Sequence, residues 1–488
     1  MRYRILFFVL LAYFITSFGG ITYGPYLTCP TTDGATVQFG KELWDDAEIY
    51  WADSMTYATS GTLPNSADIT EIDTRAFYTI TGYAPSTRIY YRVVAGSDES
   101  PVYNFRTMPE LGDSVHFCAY GDTRTNEAIH TDICQKIAQH NPLFVIHSGD
   151  LIADAWSTDD WDGYFDATDT ISHYSPFITA IGNHEIPYDI YKIYFKLPGN
   201  EEWYALHLGC VSVISLNLYT DYTSGNSQYN WLEATLADSI PTSTRWIIIN
   251  EHESPYSTSN HGSNITVREH LKPLYDAYGV DVVFAGHDHC YEHSYVDGIH
   301  YIVTGGGGAP LYSVPGGEYT ICCESVHHFI ILDADTADLC LTVFRQDETI
   351  LEEFCLSDFP VRVPIIPISL TLYVKTHPNP FNSSCNIDIF DVGIYSGSKL
   401  NVKIFDLYGK KIWATKVKIN PPQDIEEIST VAEIKARLKN KDDHRIDTSR
   451  PSAEIIWRPD QKICSGVYFV RVETPDKTQI TKRIIYLK

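Results

Sequence analysis

Five short apolar runs in this chain end in residues that hold metal ions well. YGDT closes the first with Asp122, SGDL the second with Asp150, and GNHE the third with Asn183 and His184; NEHES closes the fourth with His252, and GHDH the fifth with His287 and His289. A mixture of carboxylate, carboxamide and imidazole suits Zn, Mn or Fe better than Ca or Mg. Two such ions about 3.5 to 4 Å apart would clamp a phosphate and generate hydroxide at neutral or acid pH. Each string alone is weak, because a GD or GH pair is usually a turn. Taken in order, with helix-like segments between them, they describe one site assembled from five strand ends.

The runs that must deliver these residues are SVHFCAY, LFVIH, PFITAI, RWIIIN and VDVVFAG. They are continuously apolar, as strands buried on both faces are. In open α/β sheets the loops at the carboxyl ends of the strands converge on ligands, which places all five motifs at one edge. Between the runs, Ile129, Ile133 and Ile137 recur every four residues from Asn126 to His140, and Asn141-Pro142 stops that helix. Ser227 to Ala237 and Thr266 to Tyr278 are expected helices too, the latter ending at Gly279. YIVTGGGGAPLY lacks the GxxxxGK[ST] spacing of a phosphate cradle and reads as a tight turn with close backbone approach near the site. His130, His293, His327 and His328 read as structural or surface residues.

A chain of 488 residues exceeds one compact core and is expected to divide into two to four domains. The net charge of -26, with no cluster of Lys and Arg forming a basic face, argues against a nucleic-acid backbone as partner. An acidic chain that binds phosphate needs its positive charge locally, and metal ions would supply it. MRYR followed by ILFFVLLAYFITSF fits the roughly 7 to 15 apolar residues of a signal peptide and falls short of the ~20 that span a bilayer. With Ser17 and Gly19 as small residues before the cut, cleavage is expected after Gly19, and the protein is expected to be secreted or displayed at the cell surface. Export permits disulfides, yet the eleven cysteines are odd in number and follow no framework spacing. Cys118 and Cys210, inside apolar runs, read as packing.

The expected domains are a signal peptide over 1–19, a β-sandwich over 20–109, an α/β catalytic domain over 110–357, a linker over 358–371 and a β-sandwich over 372–488. Alternating segments such as TVQFG, AEIYWA, AFYTI and RIYYRVVAG between Gly, Pro and Asp turns give the first sandwich. Its GPYLT, TGYAPSTRIYYRV and FRTM strings resemble the fibronectin type III-like domain that precedes purple acid phosphatase catalytic domains. Pro360, Pro364 and Pro367 mark the linker. Beyond it, HPNPFN, KIFDLYGKKI and SGVYFVRV resemble the C-terminal sorting domain of the type IX secretion system, whose machinery would then be a partner. A polar, Lys-rich insertion between Trp413 and Trp457 departs from that family's short turn.

From Asp113 to about Phe354 the ordered motifs resemble the calcineurin-like metallophosphoesterase superfamily, nearest to its purple acid phosphatase branch. The resemblance implies a four-layer α/β/β/α sandwich and a dinuclear centre. Carried over residue by residue, Asp150 bridges both metals, Asp122 and His289 bind the first, and Asn183, His252 and His287 bind the second. His184 contacts the phosphate and assists proton transfer, and His261 stands where the branch carries a general acid. Two departures concern the first metal. Most of the superfamily reads Asp-x-His in the first motif, where this chain has Arg124; purple acid phosphatases use a Tyr three residues after the bridging Asp, where this chain has Ala153. A water, Asn126 or Asp154 is left to complete the shell, His147 being on the opposite strand face. Arg124 is then expected to grip phosphate oxygens. Without the tyrosinate a purple Fe(III) site is not expected.

The implied function is an exported dinuclear phosphoesterase, acid phosphatase-like, in which a metal-bridging hydroxide attacks a phosphate ester in line. Two other readings stay open: a phosphodiesterase or nucleotidase of the same fold, and a surface binding protein with a degenerate metal site.

Overall fold

A computed structural model describes residues 20–69 and 74–357, and in the tail 372–377, 384–391, 398–406, 410–419, 453–459, 466–473 and 479–486. The expected signal peptide, the linker and most of the Lys-rich insertion lie outside the described residues. The chain divides into two compact units, 1–359 and 360–488. Among the described residues no helix is long and apolar enough to cross a membrane.

Two sheets form the centre of the first unit. Three of the apolar runs, as Val115–Tyr120, Val145–His147 and Phe177–Thr179, lie side by side and parallel, and the antiparallel strands His328–Ala334, Asp338–Arg345 and Ile350–Ser357 complete a six-stranded sheet. Trp246–Glu253 and Val282–Gly286 lie parallel in a second, seven-stranded sheet. Period-two alternation splits each strand of the second sheet between two cores. Val213, Ile248, Val282, Phe284 and Ile302 face the first sheet, while Ile214, Ile247, Ile249, Val283 and Tyr301 face Leu232, Val267 and Leu274 from the helices behind. The other face of the first sheet takes Ile133, Cys134 and Ile137 from the helix Glu127–His140. The order is therefore helix, sheet, sheet, helix.

The helices show where local sequence signals win and lose. Asn126 caps Glu127–His140 by accepting the Ile129 N–H, and Asn141, left-handed at φ 52, ends it. The helix expected from Thr266 to Tyr278 is two, Ile265–His270 and Lys272–Tyr278, because Pro273 sits in the first turn of the second. The pattern over Ser227 to Ala237 starts as Ser227–Ala234 and widens to a π turn over Thr235–Ser239. Thr158–Ser172, dense in Asp, is a helix that periodicity alone did not indicate; Ser157 caps it through the Asp160 N–H at 3.1 Å, and Asp159 and Asp160 suit its positive end.

The N-terminal strands form a three-stranded sheet, Ile21–Thr28, Ala35–Lys41 and Arg75–Ile80, and a five-stranded sheet around Ala47–Asp53 and Arg88–Ala95. Both feed one apolar cluster that includes Val37, Phe39, Ile49, Ile89 and Phe105. A short helix, Ser54–Ser60, interrupts the expected all-β pattern, capped by Asp53 and ended by Gly61 at φ 65. Tyr23 and Tyr26 pack on Phe165, Gln38 Oε1 accepts the Lys196 N–H at 2.7 Å, and the Tyr91 hydroxyl donates to His173 O at 2.9 Å. These contacts brace the helix Thr158–Ser172 and the segment after the GNHE motif.

In the second unit a three-stranded sheet, Leu372–His377, Cys385–Asp391 and Ala453–Trp457, accompanies a four-stranded sheet of Lys399–Asp406, Lys411–Lys418, Gly466–Glu473 and Gln479–Tyr486. Ile387, Ile389, Val402, Ile404, Trp457 and Val470 from both sheets share one core.

Glu251, next to His252, is fully buried, and its carboxyl accepts the Tyr275 hydroxyl at 2.7 Å. Burial pushes its carboxyl up to about 8, against the pull of that hydrogen bond. A pKa raised in the fold means that the stabilisation is complete below the unfolded value of about 4.3 and is lost as pH rises through 8. Glu251→Gln keeps the acceptor and removes the titration. It is expected to raise the melting temperature near pH 8.5 and to change it little near pH 5; equal shifts at both would show that Glu251 carries its charge throughout.

Candidate metal centre

The five motifs converge in the first unit at the carboxyl ends of the two sheets. Ligand atoms of Asp122, Asp150 and His252 lie within 4.8 Å of one another, and all three residues are buried. Asp122, Asp150 and His287 hold left-handed backbone at φ 55, 55 and 68, a region that side chains other than Gly rarely enter. Each costs on the order of 1 kcal/mol or more and persists because its surroundings over-determine it. The Asp122 N–H donates to Gly149 O and the Thr123 N–H to Asp150 O, both at 3.0 Å, so the first two loops lock each other. Gly182 and Gly286 are needed for close approach: a Cβ there would meet Asp150 Oδ1 at 2.2 Å and Asp122 Oδ2 at 2.1 Å.

Hydrogen bonds aim each group. The His287 N–H lies 3.0 Å from both Asp122 oxygens, and the His184 N–H 3.2 Å from Asp150 Oδ1. A carbonyl only accepts, so the 2.7 Å contact from His252 Nδ1 to Ser148 O puts a proton on Nδ1 and turns Nε2 towards Asp150 Oδ1 at 3.3 Å. In the same way His289 Nδ1 donates to Pro310 O at 2.8 Å, and His184 Nδ1 to Ala153 O at 2.6 Å. Asn183 Oδ1 and His252 Nε2 are buried with no hydrogen-bond partner among the described residues. Buried acceptors left open in this way fit a cation.

The electrostatics agree. Burial, then the Asp150 charge, pushes the Asp122 carboxyl well above the carboxylate range. Asp150 lies below its usual value: burial opposes ionisation, but His252, His184 and the Arg124 guanidinium together outweigh it. Burial lowers His287 to about 3 and His289 to about 4, so both imidazoles are neutral with a lone pair available. Two adjacent buried carboxylates among neutral imidazoles call for added positive charge.

Around these six residues the structure places the others. His184 Nε2 stands 3.8 Å from Asp150 Oδ2. His261 is exposed, its ring centred 3.9 Å from that of His287, and its N–H donates to Asp288 Oδ1 at 2.8 Å. Arg124 turns inward: Nε is 3.2 Å from Asp150 Oδ2 and a terminal nitrogen 3.3 Å from His289 Nε2. Asn126 caps the helix Glu127–His140, and Asp154 is exposed and accepts the Trp156 N–H. His147 faces Thr123 Oγ1 at 3.3 Å. The glycine run lies along the first loop, with the Gly307 N–H on Gly121 O at 2.8 Å and the Ala309 N–H on Asp122 O at 2.9 Å. His130, His293, His327 and His328 bond to Tyr120, Glu352, Gly306 and Thr304.

Three contributors went unassigned in the sequence. Glu185, buried within GNHE, accepts the N–H groups of Gly182, Asp150 and Leu151 at 2.7 to 2.9 Å and so fixes the Asp150 loop. Asp288, between the two histidines of GHDH, holds the His261 loop through its N–H and the Ser257 hydroxyl. Both are acids inside motifs, which was the available signal. Tyr312 stacks on His289 at 4.1 Å and carries no motif.

Residues 112–291 match the calcineurin-like phosphoesterase family. A purple acid phosphatase of Glycine max is 30% identical over 259 residues, which cover 48% of this chain and 56% of that one. An uncharacterised protein of Mycobacterium tuberculosis is 27% identical over 331 residues, 54% of this chain and 63% of its own. The matches thus span less than two thirds of these relatives. A purple acid phosphatase from yellow lupin seeds shares the fold at a TM-score of 0.60 and 19% identity, over 68% of this chain and 74% of that one. The chain therefore carries a calcineurin-like metallophosphoesterase domain with homologues and structural neighbours among purple acid phosphatases, a fold that implies a dinuclear transition-metal centre.

Glu185→Gln would turn an NH₂ group towards backbone N–H donors and cost about 1 to 3 kcal/mol. The expected result is a lower melting temperature and Zn(II) affinity reduced about 10-fold or more in titration. Unchanged affinity would remove Glu185 from the support of Asp150.

Proposed function

We propose that this chain is a metal-dependent phosphoric ester hydrolase, acid phosphatase-like. The observation that carries the reading is the pair of buried carboxylates, Asp122 and Asp150, beside the unpartnered Asn183 Oδ1 and His252 Nε2. Asp150, Asn183, His252 and His287 would hold one ion; Asp122, Asp150 and His289 are the protein donors at the other position. Zn, Mn or Fe held by these residues would supply Lewis acidity and lower the pKa of water towards neutral. Arg124 and His184, which flank Asp150 Oδ2, would bind phosphate oxygens as charge builds on them. His261, at the mouth, gives its proton to the leaving oxygen, with His184 as the other donor within reach. Attack in line with that oxygen needs no covalent enzyme intermediate.

The tail strings and the two sheets around one core support a type IX sorting domain, and the apolar run at 5–18 supports export to the medium or cell surface. The N-terminal sheets support a fibronectin type III-like domain whose role is to brace the catalytic helices rather than to line the mouth.

Asp150→Asn is expected to reduce hydrolysis of p-nitrophenyl phosphate to background while circular dichroism stays unchanged; full activity in that variant would sink the assignment. Deleting residues 372–488 is expected to stop delivery to the medium, and undiminished export would refute the sorting role.

A further inference from the structure

We propose that the Arg124 guanidinium occupies the first-metal position, so that the protein binds a single metal ion tightly, in the pocket of Asp150, Asn183, His252 and His287. The inference rests on the metal-site reading above and concerns its stoichiometry.

The His289 ring has one lone pair to offer. Its Nδ1 proton is committed to Pro310 O at 2.8 Å, which leaves Nε2 as the only acceptor. Arg124 can only donate, and its terminal nitrogen stands 3.3 Å from that Nε2. Both neighbours thus demand the same tautomer. A lone pair spent on a guanidinium is not available to a metal. The same side chain takes Asp150 Oδ2 through Nε at 3.2 Å.

The two oxygens of Asp150 are therefore divided. Oδ2 faces Arg124, whereas Oδ1 faces the His184 N–H at 3.2 Å and His252 Nε2 at 3.3 Å. Of the three donors at the first position, two are engaged by one cation, and the third, Asp122, already receives the His287 N–H on both oxygens. Among the described residues no fourth donor is seen there, and the Ala153 carbonyl is taken by His184. The second position contrasts with this: Asn183 Oδ1 and His252 Nε2 are buried and open. A fixed positive charge beside two carboxylates also opposes a second dication a few ångström away. What the first ion would contribute to phosphate binding, Arg124 contributes as a planar pair of donors.

The test is metal content after equilibrium dialysis of the full chain against Zn(II) or Mn(II), with calorimetric titration alongside. Wild type is expected to bind about one equivalent, with any further binding weaker by about 100-fold. Arg124→Ala, and Arg124→His, which restores the superfamily's Asp-x-His, are expected to bind two. His252→Ala is expected to lose the wild-type equivalent. Two tight equivalents in wild type, an unchanged count in both folded Arg124 variants, or a retained equivalent in His252→Ala would each overturn the proposal; melting temperatures identify a variant that fails to fold. Hydrolysis is scored separately. One equivalent with no turnover would remove the phosphoesterase reading and leave this one standing, and two with turnover would do the reverse.

Discussion

Two carboxylates brought together inside a protein repel each other, and neither is solvated. Asp122 and Asp150 are in that position, almost free of solvent at 0% and 1% exposure. Much of the surrounding structure answers this conflict. Backbone N–H groups of His184 and His287 point at the oxygens, Glu185 gathers the loop behind Asp150, and three residues accept left-handed backbone to make the approach. These arrangements position the charges without cancelling them. A cation beside them would complete the cancellation, and the fold offers the open acceptors of Asn183 and His252 to one kind and holds Arg124 as another.

That division separates what two positions in the same site can do. The pocket of Asn183 and His252 offers buried acceptors that have nothing to give up on binding a metal, and His252 is held there by the Ser148 carbonyl. The position of Asp122 and His289 is already satisfied by a side chain, so an incoming ion must displace bonds before it forms any. Relatives of similar fold that place His or Tyr where this chain has Arg124 and Ala153 would have no such competition.

Much of the site was legible in the sequence because its signals are local. Continuous apolar runs marked the buried strands, and the acids, amides and histidines just after them marked the loops. Helix ends at Asn126, Asn141 and Gly279 were equally local. What escaped depends on contacts distant in sequence. Thr158–Ser172 has too many acids for an apolar stripe to stand out and gains its place by packing on Tyr23 and Tyr26 from the N-terminal sheets. The inward turn of Arg124 meets His289, which lies four motifs further along the chain. The pairing of Cys340 with Cys355 follows from strands laid side by side, not from any spacing of the eleven cysteines.

That disulfide has a mechanical meaning. Ile350–Ser357 is the edge strand of the six-stranded sheet and the last described strand before the second unit. An edge strand has a neighbour on one side only, so pulling it from its end opens the hydrogen-bonded pairs in sequence. Here the peel would run through Ser357 and Leu356, opposite Asp338 and Leu339, and stop at the covalent link between Cys355 and Cys340. Tension applied at the end of this strand is thereby handed to Cys340 of the neighbouring strand instead of peeling the edge strand further.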